Sequence, residues 1–265
     1  MDLAKIIISV GSLVVIGVGG YMFSPVFTNS PPMPDVHHTI SVSTSFSKDY
    51  TSGTFGIKYG YLLVDTKKPE NQNWWEWSLN RFYSDSKSDS LSAEFKEITD
   101  GYKFEHANSE IVFLSDVCEA AFKKELTTVT GNYENDVWKY CSLSLIKPLT
   151  VEESSDKERY SCTPEKIGNT SKSILMSVEN PLNKDFWDLK TGEFFRKGSI
   201  DFPTPSTDNS FFKKFYDDNK NKFPKPNLRE KCGESYEKVA DNSTSSQDKP
   251  TKTEVIKFCS LKGSE

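Results

Sequence analysis

The sequence predicts a mainly α-helical protein, in which an N-terminal membrane helix precedes two tandem small helical units from an internal duplication. Three observations predict this fold. An uncharged apolar run occupies residues 6–23, and the later chain resembles itself at a fixed offset. In both copies, the apolar side chains mostly recur at helical spacing.

The first predicted element is the apolar run from Ile6 to Phe23, eighteen residues without a charge. As a helix it would be about 27 Å long, close to the roughly 30 Å of a bilayer's hydrocarbon core. Lys5 favours a cytoplasmic N-terminus. A removed signal peptide and a buried core helix are the alternatives, although no A-x-A cleavage pattern follows the run. We therefore expect residues 1–23 to be an anchor or signal, giving a single-pass protein of the cell membrane whose bulk is extracellular.

The second predicted element is a stalk at residues 24–52. This segment is rich in Ser, Thr and Pro, as in "SPVFTNSPPMPD" and "SVSTSFS". Such a composition is typical of a linker that has no packed core of its own. We expect the stalk to hold the following domain away from the membrane.

The remaining chain contains two similar segments, which a shift of 112 residues (168 − 56) aligns without a gap. Identical or similar residues then coincide: Gly56 with Gly168, Pro69 with Pro181, Asn71 with Asn183, and "WWE" from Trp74 with "FWD" from Phe186. Near the ends, "VWKYCSL" from Val137 resembles "VIKFCSL" from Val255. Biased composition can mimic a repeat, but a fixed offset favours a tandem duplication. The predicted units are 53–147 and 161–262, joined by a linker at 148–160.

Each unit is predicted to be a small helical bundle. A group of apolar residues falls at i, i+4, i+7 and i+8, on one face of a first helix: Trp75, Leu79, Phe82 and Tyr83. A second helix is predicted around the apolar residues Phe95, Ile98 and Tyr102. A third helix carries Leu114 to Phe122, and the segment "ENDVWKYC" forms a short fourth helix.

Four cysteines repeat in the two units. Cys118 lies near the start of the third predicted helix and Cys141 near the end of the fourth, so an antiparallel hairpin would bring them together. Cys232 and Cys259 repeat the arrangement. A disulfide that closes such a loop would stabilise each unit by roughly 3 kcal/mol. Free buried thiols are the alternative. We expect no metal site, because the chain has no C-x-x-C motif and only three histidines.

The fifth cysteine, Cys162, has no counterpart, because the offset of 112 residues aligns it with Tyr50. We expect Cys162 to be unpaired within its unit. It is then either a free thiol or a link between two chains.

Motifs of catalysis and of nucleic-acid binding are absent from the sequence. The chain has no H-E-x-x-H, G-x-S-x-G or P-loop motif, so we expect binding rather than catalysis and no cofactor. Its net charge is −5, from 33 basic and 38 acidic residues. A mildly acidic surface gives no electrostatic basis for nucleic-acid binding.

The cluster "WWEW", from Trp74 to Trp77, cannot place all its rings on one face of a helix. Most of the cluster is expected in the core. Trp77 lies away from the face of Trp75, and the second copy replaces it with Leu189. Trp77 is therefore the candidate for an exposed residue that binds a sugar or a protein partner.

The short N-terminal anchor, an L-x-x-x-C motif at Leu114 to Cys118, and the closing V-x-K-aromatic-C-S motif carry a family resemblance. Together they resemble the large paralogous families of predicted surface proteins in haemotropic mycoplasmas. The segment "YSCTPEKI" from Tyr160 also resembles a Cys-Thr lead-in common in those proteins. This chain departs from the pattern because the unit appears twice and the first copy lacks the lead-in. The resemblance implies an exported, membrane-attached protein with antigenic display as its usual suggested role, and it supplies no catalytic residues.

The functional expectation is a membrane-anchored, outward-facing surface protein that acts by display or adhesion. Residues 6–23 would contact the membrane, and the partner would be a protein or glycan of a host surface. One alternative is an extracellular module that binds a small ligand or glycan through an exposed tryptophan. Another alternative is an exported hydrolase with an unrecognised site.

Overall fold

The structure, a computed structural model, describes residues 32–34, 38–85, 91–103, 110–196, 210–240 and 245–261. These residues form α-helices joined by turns, short 3₁₀ segments and isolated β-bridges, and they contain no β-strand. The prediction of a mainly α fold is therefore confirmed. The helices in the described part are α1 (Phe46–Asp49), α2 (Phe55–Tyr59), α3 (Gln72–Asp85), α4 (Leu114–Phe122), α5 (Gly131–Cys141), α6 (Asp156–Ser161), α7 (Ile167–Thr170), α8 (Lys184–Phe195), α9 (Phe211–Asn219), α10 (Leu228–Tyr236) and α11 (Lys252–Cys259).

The helices follow the same order in two stretches, the first half (38–147) and the second half (148–261). In each half a short helix (α2 or α7) leads to a longer helix (α3 or α8), and a helical hairpin follows (α4–α5 or α10–α11). The 3₁₀ turns Pro69–Asn71 and Pro181–Asn183 precede α3 and α8 at matching places. Proline suits this position because the first residues of a helix donate no intrahelical hydrogen bond.

Backbone hydrogen bonds of the first half recur in the second half between the residues that the sequence offset pairs. In each half, the segment before the long helix bonds both to the entry of that half and to the end of its hairpin. The matching pairs, donor nitrogen first, are Ile40 to Leu63 and Val151 to Leu175, Val64 to Cys141 and Met176 to Cys259, Asp65 to His38 and Ser177 to Leu149, Phe55 to Lys124 and Ile167 to Lys238. The two halves therefore share one backbone connectivity.

The two asparagines that coincide in the sequence play the same structural part. The Asn71 side-chain amide donates to the carbonyl oxygens of His38 and Asp65, at 2.7 and 3.0 Å. The Asn183 amide donates in the same way to Leu149 and Ser177, at 2.7 and 2.9 Å. Both asparagines are fully buried, where unpaired backbone carbonyls would be costly. This need explains why asparagine occupies both positions.

The tryptophans at the coinciding positions of α3 and α8 also match. The indole nitrogen of Trp75 donates to the Asp65 carbonyl at 3.3 Å, and that of Trp187 donates to the Ser177 carbonyl at 2.8 Å. Both rings are fully buried. Each long helix is thereby attached to the segment that precedes it.

The face of α3 is buried as predicted at three of its four positions. Trp75, Leu79 and Phe82 are buried, whereas the prediction for Tyr83 is wrong because its side chain is exposed. The Tyr83 hydroxyl donates to the Thr99 carbonyl at 2.9 Å. The hydroxyl thus draws the phenol to the edge of the core, as is common for tyrosine.

The second predicted helix of the first half is wrong. Only a 3₁₀ turn forms, at Ala93–Phe95, and the described chain that follows it, up to residue 103, is not helical. The amide nitrogens of Thr99 and Asp100 both donate to the Val112 carbonyl, at 2.9 and 3.3 Å. Phe95, Ile98 and Tyr102 are nevertheless buried, so helical spacing identified core residues correctly but not their backbone conformation.

The predicted stalk and linker include buried residues. Ile40 and Tyr50 fall within 24–52, and both are buried. Val151 and Tyr160 fall within 148–160, and both are buried too. The residues from Pro32 onward cluster into one compact body. The division into an anchor, a stalk and two units stays a prediction.

The predicted membrane helix at residues 6–23 lies outside the described residues. Within the described ranges, no helix has the length and apolar character needed to cross a bilayer.

Candidate functional site

The side chain of Trp77 is buried, contrary to the sequence-based expectation of an exposed ring. Only 8% of its surface is exposed. Its ring centroid lies 6.0 Å from that of Trp74, and the guanidinium of Arg81 lies 4.9 Å from the ring centroid. Arg81 is one turn further along α3, so it can cover a tryptophan that points towards the edge of the core. A sugar could not stack on Trp77 without displacing these neighbours.

The four repeated cysteines form the two pairs that the sequence predicted. Cys118 and Cys141 join α4 to α5, and Cys232 and Cys259 join α10 to α11. The Cα–Cα distance is 5.7 Å in each pair, which is typical of disulfides. The cysteines therefore connect the two helices of each hairpin.

Cys162 carries a free and exposed thiol at the end of α6. The predicted alignment of Cys162 with Tyr50 is wrong. Tyr160 takes the equivalent position, because its ring lies against Gly168 as the ring of Tyr50 lies against Gly56. The offset thus becomes 110 residues (160 − 50) before this glycine, which the ungapped comparison could not show.

A cleft of about 350 Å³ opens between the two halves. This volume is within the range of small-molecule sites, which starts at about 300 Å³. Its apolar lining comes from α2, from the segment that begins the second half, and from the α7 and α11 region: Tyr59, Pro148, Ile174, Met176, Ile256 and Leu261. The cleft is therefore formed jointly by both halves.

Charged side chains also line the cleft. They are Lys58 from the first half, and Glu152 and Glu153 from the second half. Burial opposes the charge of Glu153, but the Thr150 amide and hydroxyl both donate to it at 3.0 Å, and Lys147 lies nearby. These groups lower the pKa of the Glu153 carboxyl below its usual value, so it is ionised at neutral pH.

Tyr59 contributes an apolar wall to the same cleft. Burial raises the pKa of its phenol well above the usual value, with a further contribution from Glu134 and Glu153. The phenol is thus neutral at physiological pH. The Lys58 ammonium lies 5.2 Å from the centre of its ring. The cleft accordingly combines an apolar interior with charges of both signs.

Sequence reasoning missed this cleft because its lining is dispersed along the chain. Two of its acidic residues lie in the segment predicted to be a linker, and its other walls come from different halves. One signal was present in the sequence: Trp138 of "VWKYCSL" is replaced by the smaller Ile256 in "VIKFCSL". Ile256 lines the cleft.

A second unpredicted feature is a basic loop, residues 220–227, between α9 and α10. Phe223 at its centre has 98% of its surface exposed. Lys220, Lys222 and Lys225 surround it in the sequence, and the loop contains no acidic residue. Lys220 also pairs with Asp217 of α9, at 2.8 Å. An isolated aromatic ring among cations is suited to contact with an anionic partner.

No protein-family model, curated protein or solved structure matches this chain. Within the described ranges, no group of three or more His, Cys, Asp or Glu side chains is placed to hold a metal ion. The binding features that the described residues do present are the cleft between the halves and the basic loop around Phe223.

Proposed function

We propose that the chain is a membrane-attached, outward-facing surface protein that acts by display or adhesion. The two disulfides are the observation that carries this proposal. Structural disulfides persist in oxidising compartments and are rare in the cytosol. Here both hairpins have one, at 5.7 Å between Cα atoms. The apolar run at residues 6–23 supplies the anchor, with Lys5 on its cytoplasmic side.

Protease treatment of intact cells tests the orientation. An outward-facing chain loses its body to the protease, whereas an epitope tag placed before residue 6 stays protected. Non-reducing peptide mapping of the released body should recover Cys118 linked to Cys141 and Cys232 linked to Cys259. A body that is protected in intact cells but cleaved after lysis would refute the proposal. A known cytoplasmic protein in the same sample controls for leakage.

The two halves are further proposed to descend from one duplicated unit. The support is the shared backbone connectivity together with the matching roles of Asn71 and Asn183. Each half also has its own disulfide at the same place in its hairpin. A surface protein with two similar units presents two related faces, which suits display.

The basic loop supports adhesion as the activity. Phe223 is exposed and the loop carries three lysines, although the whole chain has a net charge of −5. This local charge favours an acidic protein or an anionic glycan of a host surface, and nucleic acid is not a proposed partner. Aromatic side chains often dominate binding energy at such contacts.

Binding of the purified full chain to host cells and to an array of anionic glycans tests adhesion. Phe223→Ser should reduce binding several-fold without changing the thermal unfolding midpoint, because the side chain supports no core packing. Leu182→Ser is the matched control, since Leu182 is also exposed and apolar but lies outside the basic loop. Equal binding by wild type and Phe223→Ser would show that the loop is not the adhesive surface.

A further inference from the structure

The cleft lies where the second half lacks aromatic rings that fill the first half. In the first half, the ring of Trp138 packs against Phe55 and Tyr59, with centroid distances of 5.6 and 4.8 Å. The hydrogen bonds that the two halves share align Phe55 with Ile167. The same alignment places Ser171 at the position of Tyr59, and Ile256 at that of Trp138. Three aromatic residues are thus replaced by smaller ones.

The inner wall of the cleft shows the same loss of volume. Leu175 and Cys259 take part in the same backbone bonds as Leu63 and Cys141, which fixes the register on both sides of the wall. Ser173 then stands where the first half has Tyr61, and both Ser173 and Ile256 line the cleft. The space is therefore a specific consequence of side-chain replacement and not a general looseness of packing.

The replacement also leaves a polar atom unused. Ser171, at the position of Tyr59, is buried, and its hydroxyl oxygen has no hydrogen-bond partner. Its neighbour Ser173 lies on the wall of the cleft. A buried hydroxyl without a partner is costly and is often satisfied by a bound molecule.

We infer that the cleft binds a small aromatic molecule that carries a cationic group. The ring would take the space that the Trp138 indole fills in the first half, between Tyr59, Met176 and Ile256. The cationic group would face Glu152 and Glu153. Among the described residues that line the cleft, Lys58 is the single base, so the two carboxylates leave a net negative charge there. This binding activity goes beyond display and adhesion.

Tryptamine is a suitable probe because it joins an indole ring to an ammonium group. Calorimetric titration of the purified full chain should show tryptamine binding more tightly than indole, and indole more tightly than indole-3-propionate. This order follows from the negative charge of the lining. Glu152→Gln should weaken tryptamine binding several-fold and leave indole binding unchanged.

Filling the cleft is the decisive test. Ile256→Trp restores the first-half residue and should lower tryptamine affinity at least tenfold, with an unchanged or higher unfolding temperature. Ser173→Tyr fills the space from the other wall and should act in the same way if Ile256→Trp folds poorly. Ile111→Trp is the control, since it adds an indole at an exposed site that is not part of the lining.

Three results would overturn the inference. One is that none of the three probes binds the wild-type chain. Another is that a folded Ile256→Trp or Ser173→Tyr variant binds tryptamine as tightly as wild type does. The third is that indole or indole-3-propionate binds as tightly as tryptamine, which would contradict the cationic group.

Discussion

Two glycines allow a tyrosine ring to lie directly against a helix, one in each half. A Cβ at Gly56 would lie 2.7 Å from Cδ1 of Tyr50, and one at Gly168 would lie 2.6 Å from Cδ1 of Tyr160. Both tyrosines are buried. The glycines coincide in the sequence because each half needs the same close approach.

Gly168→Ala is therefore expected to destabilise the protein by about 1–3 kcal/mol, the usual cost of overpacking a core. The ring of Tyr160 has to move, since the new methyl group would overlap it. Gly192→Ala is the matched control. Gly192 lies inside α8, and a Cβ added there would meet no atom within 4 Å, so alanine should stabilise by about 0.5–1 kcal/mol. Urea unfolding of both variants would measure these opposite signs.

Asp65 is a second residue with a measurable energetic signature. It is buried, and its Oδ2 has no hydrogen-bond partner. Burial raises the pKa of the Asp65 carboxyl, although the Lys67 amide and the charges of Lys68 and His38 act in the opposite direction. An acid whose folded pKa is raised contributes stability below its unfolded pKa, and this contribution is lost as pH rises through the folded pKa.

Asp65→Asn should therefore raise the free energy of unfolding at pH 7, where the wild-type carboxylate is charged and buried. The difference should shrink towards zero as pH falls below about 4, because wild-type Asp65 is then protonated in both states. Ser177 at the equivalent position shows that a neutral side chain is accommodated there. Glu70→Gln, at an exposed site in the following turn, is the control. A gain from Asp65→Asn that is equally large at pH 3.5 and pH 7 would contradict the explanation.

Single residues differ in how far the sequence predicts their roles. The cysteine pairs could be predicted because helix ends and spacing decide which thiols meet in a hairpin. The burial of Trp77 could not, because Arg81 on the same helix covers it. An aromatic ring off the main face of a helix is exposed or buried depending on such neighbours, and helical spacing alone carries no information about them.

At the scale of elements, each hairpin depends on its disulfide. The pairs are separated by 23 and 27 residues, so the loops they close are similar in size. Replacing both Cys118 and Cys141 by alanine should cost about 3–4 kcal/mol, from the loop-closure entropy returned to the unfolded chain. The matching change at Cys232 and Cys259 should cost a similar amount.

Thermal and urea unfolding of the two double variants would measure these costs. Cys162→Ser is the control, because its exposed thiol is unpaired and its replacement should leave stability within about 0.5 kcal/mol. Reduction of the wild-type chain should lower the unfolding midpoint more than either double variant does. An unchanged midpoint after reduction would show that the hairpins do not depend on the bonds.

The second predicted helix shows why helix prediction succeeded in one half only. In the second half "FFKKFYD" lies in α9, where the Ser210 side chain caps the start and Lys213 pairs with Asp217 one turn later. In the first half the similar "EFKEITD" is followed by Gly101 and contains the β-branched residues Ile98 and Thr99. Such residues favour extended backbone, and Thr99 bonds instead to Val112.

At the scale of the whole molecule, the shared architecture of the two halves could be anticipated and their junction could not. The offset of the repeat depends on residues that coincide in the sequence, such as Asn71 and Asn183. The junction depends on positions where the copies differ, such as Tyr61 against Ser173 and Ser78 against Lys190. Differences between copies do not reveal by themselves which residues meet.

Tyr61 is the clearest contact across the junction. Its hydroxyl donates to the Glu193 carboxylate, and the Lys190 ammonium lies 4.4 Å from the centre of its ring. Lys190 is fully buried, and the buried residues of both halves form one contiguous cluster. The wild-type body should therefore unfold in one cooperative transition.

Tyr61→Ser, which copies the second-half residue, removes both the ring and the hydrogen bond. It should cost about 3–5 kcal/mol, as for other large-to-small core changes, and should separate the unfolding of the two halves into two transitions. The separation is expected because each half keeps its own disulfide and its own backbone connectivity. Tyr61→Phe keeps the ring over Lys190, so it should cost only about 1–2 kcal/mol and preserve a single transition. Hydrogen exchange along the chain distinguishes these cases, and uniform protection in Tyr61→Ser would show that other contacts join the halves.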